Sequence, residues 1–220
     1  MSFVDDFFNT LEVYNNTFWP MTVFTYLLGF VALYLAARKS RSSDKIVSAI
    51  LGFLWIWSGA VFCIVFYGPM DVEFLGLTMR GIWYLVGFLF VVQGILFFWS
   101  GVLRESLSFG VGGDGYSIVG AIIVIYSMVI YPIIGFLTEM EYPRYPVFGA
   151  APCPVGIFTF GLLLWTEKKV PLVTAVIPLI WALMGVMSVM GLNIWADLGL
   201  ILSGLVGFPL ILLHNPKIGT

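Results

Sequence analysis

Cys153 stands between Pro152 and Pro154 at the head of an apolar stretch. Two prolines fix two φ angles and withhold two amide donors, so the chain must enter that stretch irregularly. Non-helical backbone at membrane depth is tolerated where it is buried in protein or lines a cavity. Carbonyls freed there could ligate a cation or a substrate hydroxyl, and the alternative is a rigid surface turn with Pro154 at a helix start. Cys63 and Cys153 lie toward the same ends of their stretches, which permits a disulfide, but free structural thiols are the expectation. Met184, Met187 and Met190 recur every third residue and, with Cys153, Met21 and Met140, offer soft donors to a Cu(I)-like ion. Adaptable packing is the commoner use of methionine, and no metal site is expected.

Covalent and redox chemistry is harder to assemble. No Asp, Glu, Lys, Arg or His falls at the centre of an apolar stretch, and such residues are the usual mark of proton relays and cation coupling. His214 is the only histidine, so a bis-histidine haem inside a membrane is excluded, and no His–carboxylate spacing suits a hydrolase. The loop Gly110–Gly115 is glycine-rich but lacks the Lys-Ser or Lys-Thr ending of a phosphate loop. The expectation is therefore no enzyme, no catalytic residue and no cofactor. What remains in the apolar depth is neutral: Thr25, Ser58, Gln93, Ser127, Thr159, Ser188 and Ser203, with the rings of Trp55 and Trp181. Such groups suit a small neutral solute or plain interhelical hydrogen bonding. Glu139, Glu141 and Asp197 are expected at helix ends in water, around an outer mouth.

The elements that must position these residues follow from composition. The 220-residue chain is 60% hydrophobic and 10% charged, with mean hydropathy +1.03, far below the charge of soluble domains. Crossing a bilayer takes about 20 apolar residues, and seven such stretches are read: 18–37, 46–67, 81–101, 117–137, 149–166, 171–190 and 194–213. In lipid each must be a helix, so residues 1–220 form one all-α, seven-helix domain with no room for a soluble one. Arg38, Lys39, Arg41, Lys45, Arg104, Lys168, Lys169 and Lys217 fall on one side and only Arg80 and Arg144 on the other. Basic residues are retained inside, which puts the N-terminus outside, the C-terminus inside and the chain in the cell membrane. The lipid bilayer is the partner this implies; nothing marks nucleic-acid binding, and a homo-oligomer or membrane partner stays open. Phe3, Phe7 and Leu11 oppose Asp5, Asp6, Asn9 and Glu12 at helical spacing, so residues 1–17 read as an amphipathic helix on the outer interface.

One motif is written twice. Pro20-x-x-x-Phe24-Thr25-Tyr26 heads the first stretch and Pro154-x-x-x-Phe158-Thr159-Phe160 the fifth, while Trp55-x-x-x-Gly59 and Trp181-x-x-x-Gly185 follow in the second and sixth. Four crossings separate the copies, an even number, so they would share orientation. The plan is three-plus-one-plus-three: repeat one at 18–101, a linker span at 117–137 and repeat two at 149–213. In architecture this resembles the SWEET and semiSWEET sugar carriers, whose parallel repeats enclose the substrate site, although their Pro-Gln pair is absent here.

Phe148-Gly-Ala-Ala-Pro152-Cys153-Pro154, with Trp19-Pro20, Tyr131-Pro132, Ile177-Pro178 and Asp197-Leu198-Gly199, resembles the uncharacterised polytopic membrane family catalogued as domain of unknown function 6064. That resemblance implies a membrane topology and no activity. The reading that follows is a small-solute transporter or binding protein. Its path would run between the repeats, along Pro20, Phe24, Thr25, Trp55, Cys153, Pro154, Phe158, Thr159 and Trp181, with Gln93 and Ser203 orienting the solute. The competing reading is a non-transporting subunit or scaffold that meets protein, lipid or quinone through small-residue faces at Gly52, Gly59 and Gly87.

Overall fold

The computed structural model describes residues 3–74, 76–138 and 142–215. Helix α1 (Phe3–Thr17) is followed by α2 (Trp19–Ala37) and α3 (Ser43–Tyr67). A two-stranded antiparallel hairpin, β1 (Val72–Phe74) with β2 (Leu77–Met79), then leads into α4 (Ile82–Leu103) and α5 (Gly115–Leu137). Next come α6 (Pro152–Leu163) and α7 (Val173–Leu192), and a 3-10 turn, Trp195–Asp197, opens α8 (Leu198–His214). The fold is mostly helical, and the hairpin is the departure from the all-α expectation. Six helices are long and apolar enough to cross a membrane: α2, α3, α4, α5, α7, and α8 with its leading turn.

The stretch read at 149–166 is different. Its helix has 12 residues, which at 1.5 Å per residue rise about 18 Å, short of a roughly 30 Å hydrocarbon layer. Yet every residue from Pro152 to Leu163 is buried, because α6 packs on α3, α5, α7 and α8 at once. Irregular chain flanks α6 on both sides. Near α1, the Asn15 amide donates to the carbonyls of Pro143 and Tyr145 at 2.6 and 3.0 Å; at the far end Thr166 bridges Phe109. Pro152 and Pro154 lie in the first turn of α6, where a missing amide donor costs nothing, so they start the helix; the irregular chain before them is buried, with Val147, Phe148, Ala150 and Ala151 all in the core. Gly149 has φ +74°, and a Cβ there would lie 2.2 Å from the Thr25 side chain.

The two copies of the repeated motif sit in unlike surroundings. Helix α2 lies at the periphery, packed mainly on α3, so Phe24 is 46% exposed whereas Phe158 on α6 is fully buried. A helix with neighbours on one side turns half its surface to lipid; a central one does not.

Small residues bring the helices together. A Cβ on Gly59 would stand 2.6 Å from the Gly87 carbonyl, and one on Gly87 would stand 2.7 Å from the Gly59 carbonyl. Helices α3 and α4 therefore touch backbone to backbone, and this face is spent inside the fold.

Charge divides the bundle into two ends. At one end Lys39 pairs with Glu167 and donates to Ser108 at 2.8 Å, Lys45 pairs with Glu105 at 2.7 Å, and Lys168 donates to the Glu105 carbonyl. The glycine-rich loop, expected to be a free linker, is tied down there: Gly110 N donates to the Trp165 carbonyl at 2.7 Å and Asp114 caps α5 by accepting from Ser117 N at 2.8 Å. At the other end Arg144 faces Glu12 and Asn9, and Arg80 faces Asp71. Helix α1 is helical with the stripe read from its spacing, but that stripe docks on protein. Phe7, Leu11 and Tyr14 are buried; the Tyr67 hydroxyl donates to the Phe7 carbonyl and the Trp57 indole to the Tyr14 hydroxyl at 2.8 Å. Burial pushes the Tyr14 phenol well above its ordinary titration range.

Candidate functional site

A cleft opens at the α1 end between α3 and α4 on one side and α6 and α7 on the other. Its empty volume is about 810 Å³ including its open mouth. Phe3, Phe7 and Leu11 of α1 form one wall, Phe62, Trp83 and Val86 another, and Cys153, Trp181, Met184, Met187 and Ser188 a third. Helix α1 walls the cleft because its apolar stripe has no lipid to face once it lies against Tyr67 and Trp83.

The cleft reaches Trp181 at mid-bundle, and two more rings pack behind it. Trp181, the ninth residue of a 20-residue helix, meets the edge of Phe90 at 4.9 Å and 89°, and Phe90 meets Trp55 at 4.8 Å and 87°. Edge-to-face contacts of this kind add about 0.5–1.5 kcal/mol beyond area burial. Behind the rings the Trp55 indole donates to the Thr159 hydroxyl at 2.9 Å, which donates in turn to the Val155 carbonyl at 2.8 Å. The Trp181 indole N–H, which borders the cleft, has no hydrogen-bond partner among the described residues, and neither has that of Trp83.

Asp197 corrects the expectation drawn from its position. It is not a mouth residue in water: it is 0% exposed and lines the cleft. The turn into α8 is recessed, since the Tyr126 hydroxyl donates to the Ala196 carbonyl and the Tyr131 hydroxyl to Asp197 Oδ1 at 2.7 Å. Tyr131 lies six residues, about 9 Å, inside the end of α5. The Cys153 thiol and Ser188 hydroxyl stand close to the carboxylate as donors, but neither makes a well-formed bond to its Oδ2, which has no hydrogen-bond partner among the described residues. Sequence position could not reveal this, because the depth of a turn depends on the helices around it. The companion mouth residues, Glu139 and Glu141, lie outside the described residues.

The other named positions separate. Cys153, Trp181 and Asp197 share the cleft, and Trp55, Phe158 and Thr159 lie buried in the core with α6. Pro20 is exposed at the start of α2 and Phe24 faces outward on Phe53, so neither lines a path. Thr25 is buried and donates to the carbonyls of Thr22 and Phe148 at 2.9 and 3.2 Å. Pro154 is buried, and its carbonyl accepts from Ser127 at 2.6 Å. Ser203 donates to its own helix at Leu200. Gln93 is absent from the cleft lining: its Nε2 donates to the Thr174 carbonyl at 2.8 Å, freed by Pro178 four residues on, while its Oε1 has no partner among the described residues. Cys63 and Cys153 are both free and buried. Met184 and Met187 border the cleft; among the described residues no group of three His, Cys, Asp or Glu side chains could hold a metal.

Among the described residues, six apolar helices of spanning length, a fully buried short helix and an apolar cleft mark a polytopic helical membrane protein. The chain belongs to a family of unknown function (DUF6064), matched over residues 4–219. No curated protein and no solved structure matches it.

Proposed function

We propose that this membrane protein binds a small, largely apolar solute in the cleft and passes it between the two groups of helices, α2–α4 and α6–α8, with no catalytic step. The carrying observation is the cleft itself: it lies between α3–α4 and α6–α7 and reaches Trp181 at mid-depth, behind which Phe90 and Trp55 are packed. A site that stops at mid-depth between two groups of helices suits alternating access. Counting the irregular traverse through α6 as a span gives seven crossings, and the clustering of basic side chains near Lys39 and Lys45 supports a cytoplasmic placement of that end. The cleft would then open outward in the cell membrane, and the three-plus-one-plus-three division describes which helices bound it. The scaffold reading is weaker, because Gly59 and Gly87, the small-residue face it needs, are consumed between α3 and α4.

Thiol accessibility in oriented vesicles tests this reading. With Cys63→Ala, Cys153 should react with a membrane-impermeant thiosulfonate from the α1 end. With both native thiols replaced and Thr159→Cys introduced behind the rings, reaction should come from the opposite face. A Thr159→Cys protein inert from both faces, beside a reactive Cys153, would leave a static pocket and remove transport.

A further inference from the structure

We infer that the cleft selects an organic cation, a protonated amine on an apolar body, with Asp197 as its counter-charge. The inference rests on the reading of the cleft as a solute site and names the class of solute. Three observations carry it. Asp197 is wholly buried, Tyr131 occupies its Oδ1, and its Oδ2 lacks a partner in a side chain that lines the cleft. Among the described residues no Lys, Arg or His lines that cleft to neutralise it; the other charged lining residue is Glu73, at the rim and also acidic. The walls are the rings of Phe3, Phe7, Phe62, Trp83 and Trp181, whose faces attract an ammonium group, while the unpartnered indole N–H groups of Trp83 and Trp181 suit an acceptor elsewhere on the same solute.

A neutral alcohol could satisfy the lone oxygen with a hydrogen bond but would supply no counter-charge, and a carboxyl buried without one takes up a proton instead of staying ionised. An acidic solute would meet acidic side chains at the rim and at the floor. An ammonium group supplies both the donor and the counter-charge, and Glu73 at the rim attracts cations to the entrance. The neutral solute expected from the sequence rested on the absence of ionisable groups at span centres, and a carboxylate recessed through a turn escapes that criterion.

The test reads a local event. Purified Cys63→Ala protein is labelled at Cys153, beside Asp197, with a small maleimide in the presence of phenylbutylammonium, phenylbutanol or phenylbutyrate near neutral pH. These probes share one apolar body and differ in the head group. The ammonium probe should half-protect Cys153 at a concentration at least about tenfold below the alcohol, a difference of about 1.4 kcal/mol, with the acid weakest. Adding Asp197→Asn should bring the ammonium and alcohol together. Equal protection by alcohol and ammonium with Asp197 intact overturns the inference, as does a preference that survives Asp197→Asn. If that variant fails to fold, the ratio measured with Asp197 in place decides alone. A Cys153 that never reacts, or that no probe protects, removes the solute site itself, a different result from loss of charge selection.

Discussion

Gln93 Nε2 donates to the Thr174 carbonyl at 2.8 Å across α4 and α7, and that carbonyl is the one Pro178 leaves without a helical N–H. The same device joins α2 to α5: the Tyr26 hydroxyl donates at 3.0 Å to the Met128 carbonyl, four residues before Pro132. In lipid no water can satisfy a carbonyl freed by proline, so a neighbouring helix must. The proline and its distant donor form one unit.

Gln93→Leu should therefore destabilise the protein by about 1–2 kcal/mol, read as denaturant unfolding in micelles. In a Pro178→Ala background the helix recovers its own N–H at Thr174, and the cost of Gln93→Leu should shrink. Additive effects of the two substitutions would disprove the coupling.

Thr159→Val removes the acceptor of the Trp55 indole while keeping the volume. The expected cost is about 0.6–1.7 kcal/mol, with a change in tryptophan emission that the distant Ser203→Ala, whose bond is within its own helix, should not produce.

Gly59→Ala should cost about 1–3 kcal/mol, because the new methyl meets the Gly87 carbonyl at 2.6 Å and backbone cannot step aside. Gly113→Ala, with nothing within 4 Å, should stay within about 0.5 kcal/mol. Paired thermal melts of the two variants make the comparison.

Asp114→Ala removes the cap of α5 and should cost about 1 kcal/mol at neutral pH. The amide of Ser117 holds the Asp114 carboxyl below its ordinary 3.8. A carboxylate lowered in the folded state contributes stability that is present above its unfolded value and lost as pH falls through the folded value. The difference between wild type and Asp114→Asn should accordingly close on acidification below about pH 4, as unfolding curves at stepped pH would show.

Much of the architecture was legible because it depends on local composition. Stretch length and charge placement located the spans and collected Lys39, Lys45 and Lys168 at one end, and the spacing of Phe3, Phe7 and Leu11 marked α1. The prolines flanking Cys153 marked a helix start. Trp181 and Cys153 lie on the cleft and Phe24 faces outward: a repeated motif says nothing about which copy is central.

By itself, then, the sequence determined a polytopic helical membrane protein with a basic end, an acidic end and a special fifth segment, since hydropathy, charge and proline act over a few residues. Tertiary structure alone decided that α6 is a short helix surrounded by protein, that Gln93 donates to the carbonyl Pro178 leaves free, and that Asp197 lies buried at a cleft. Each depends on which helices pack around a residue, and burial is a property of neighbours that are distant along the chain.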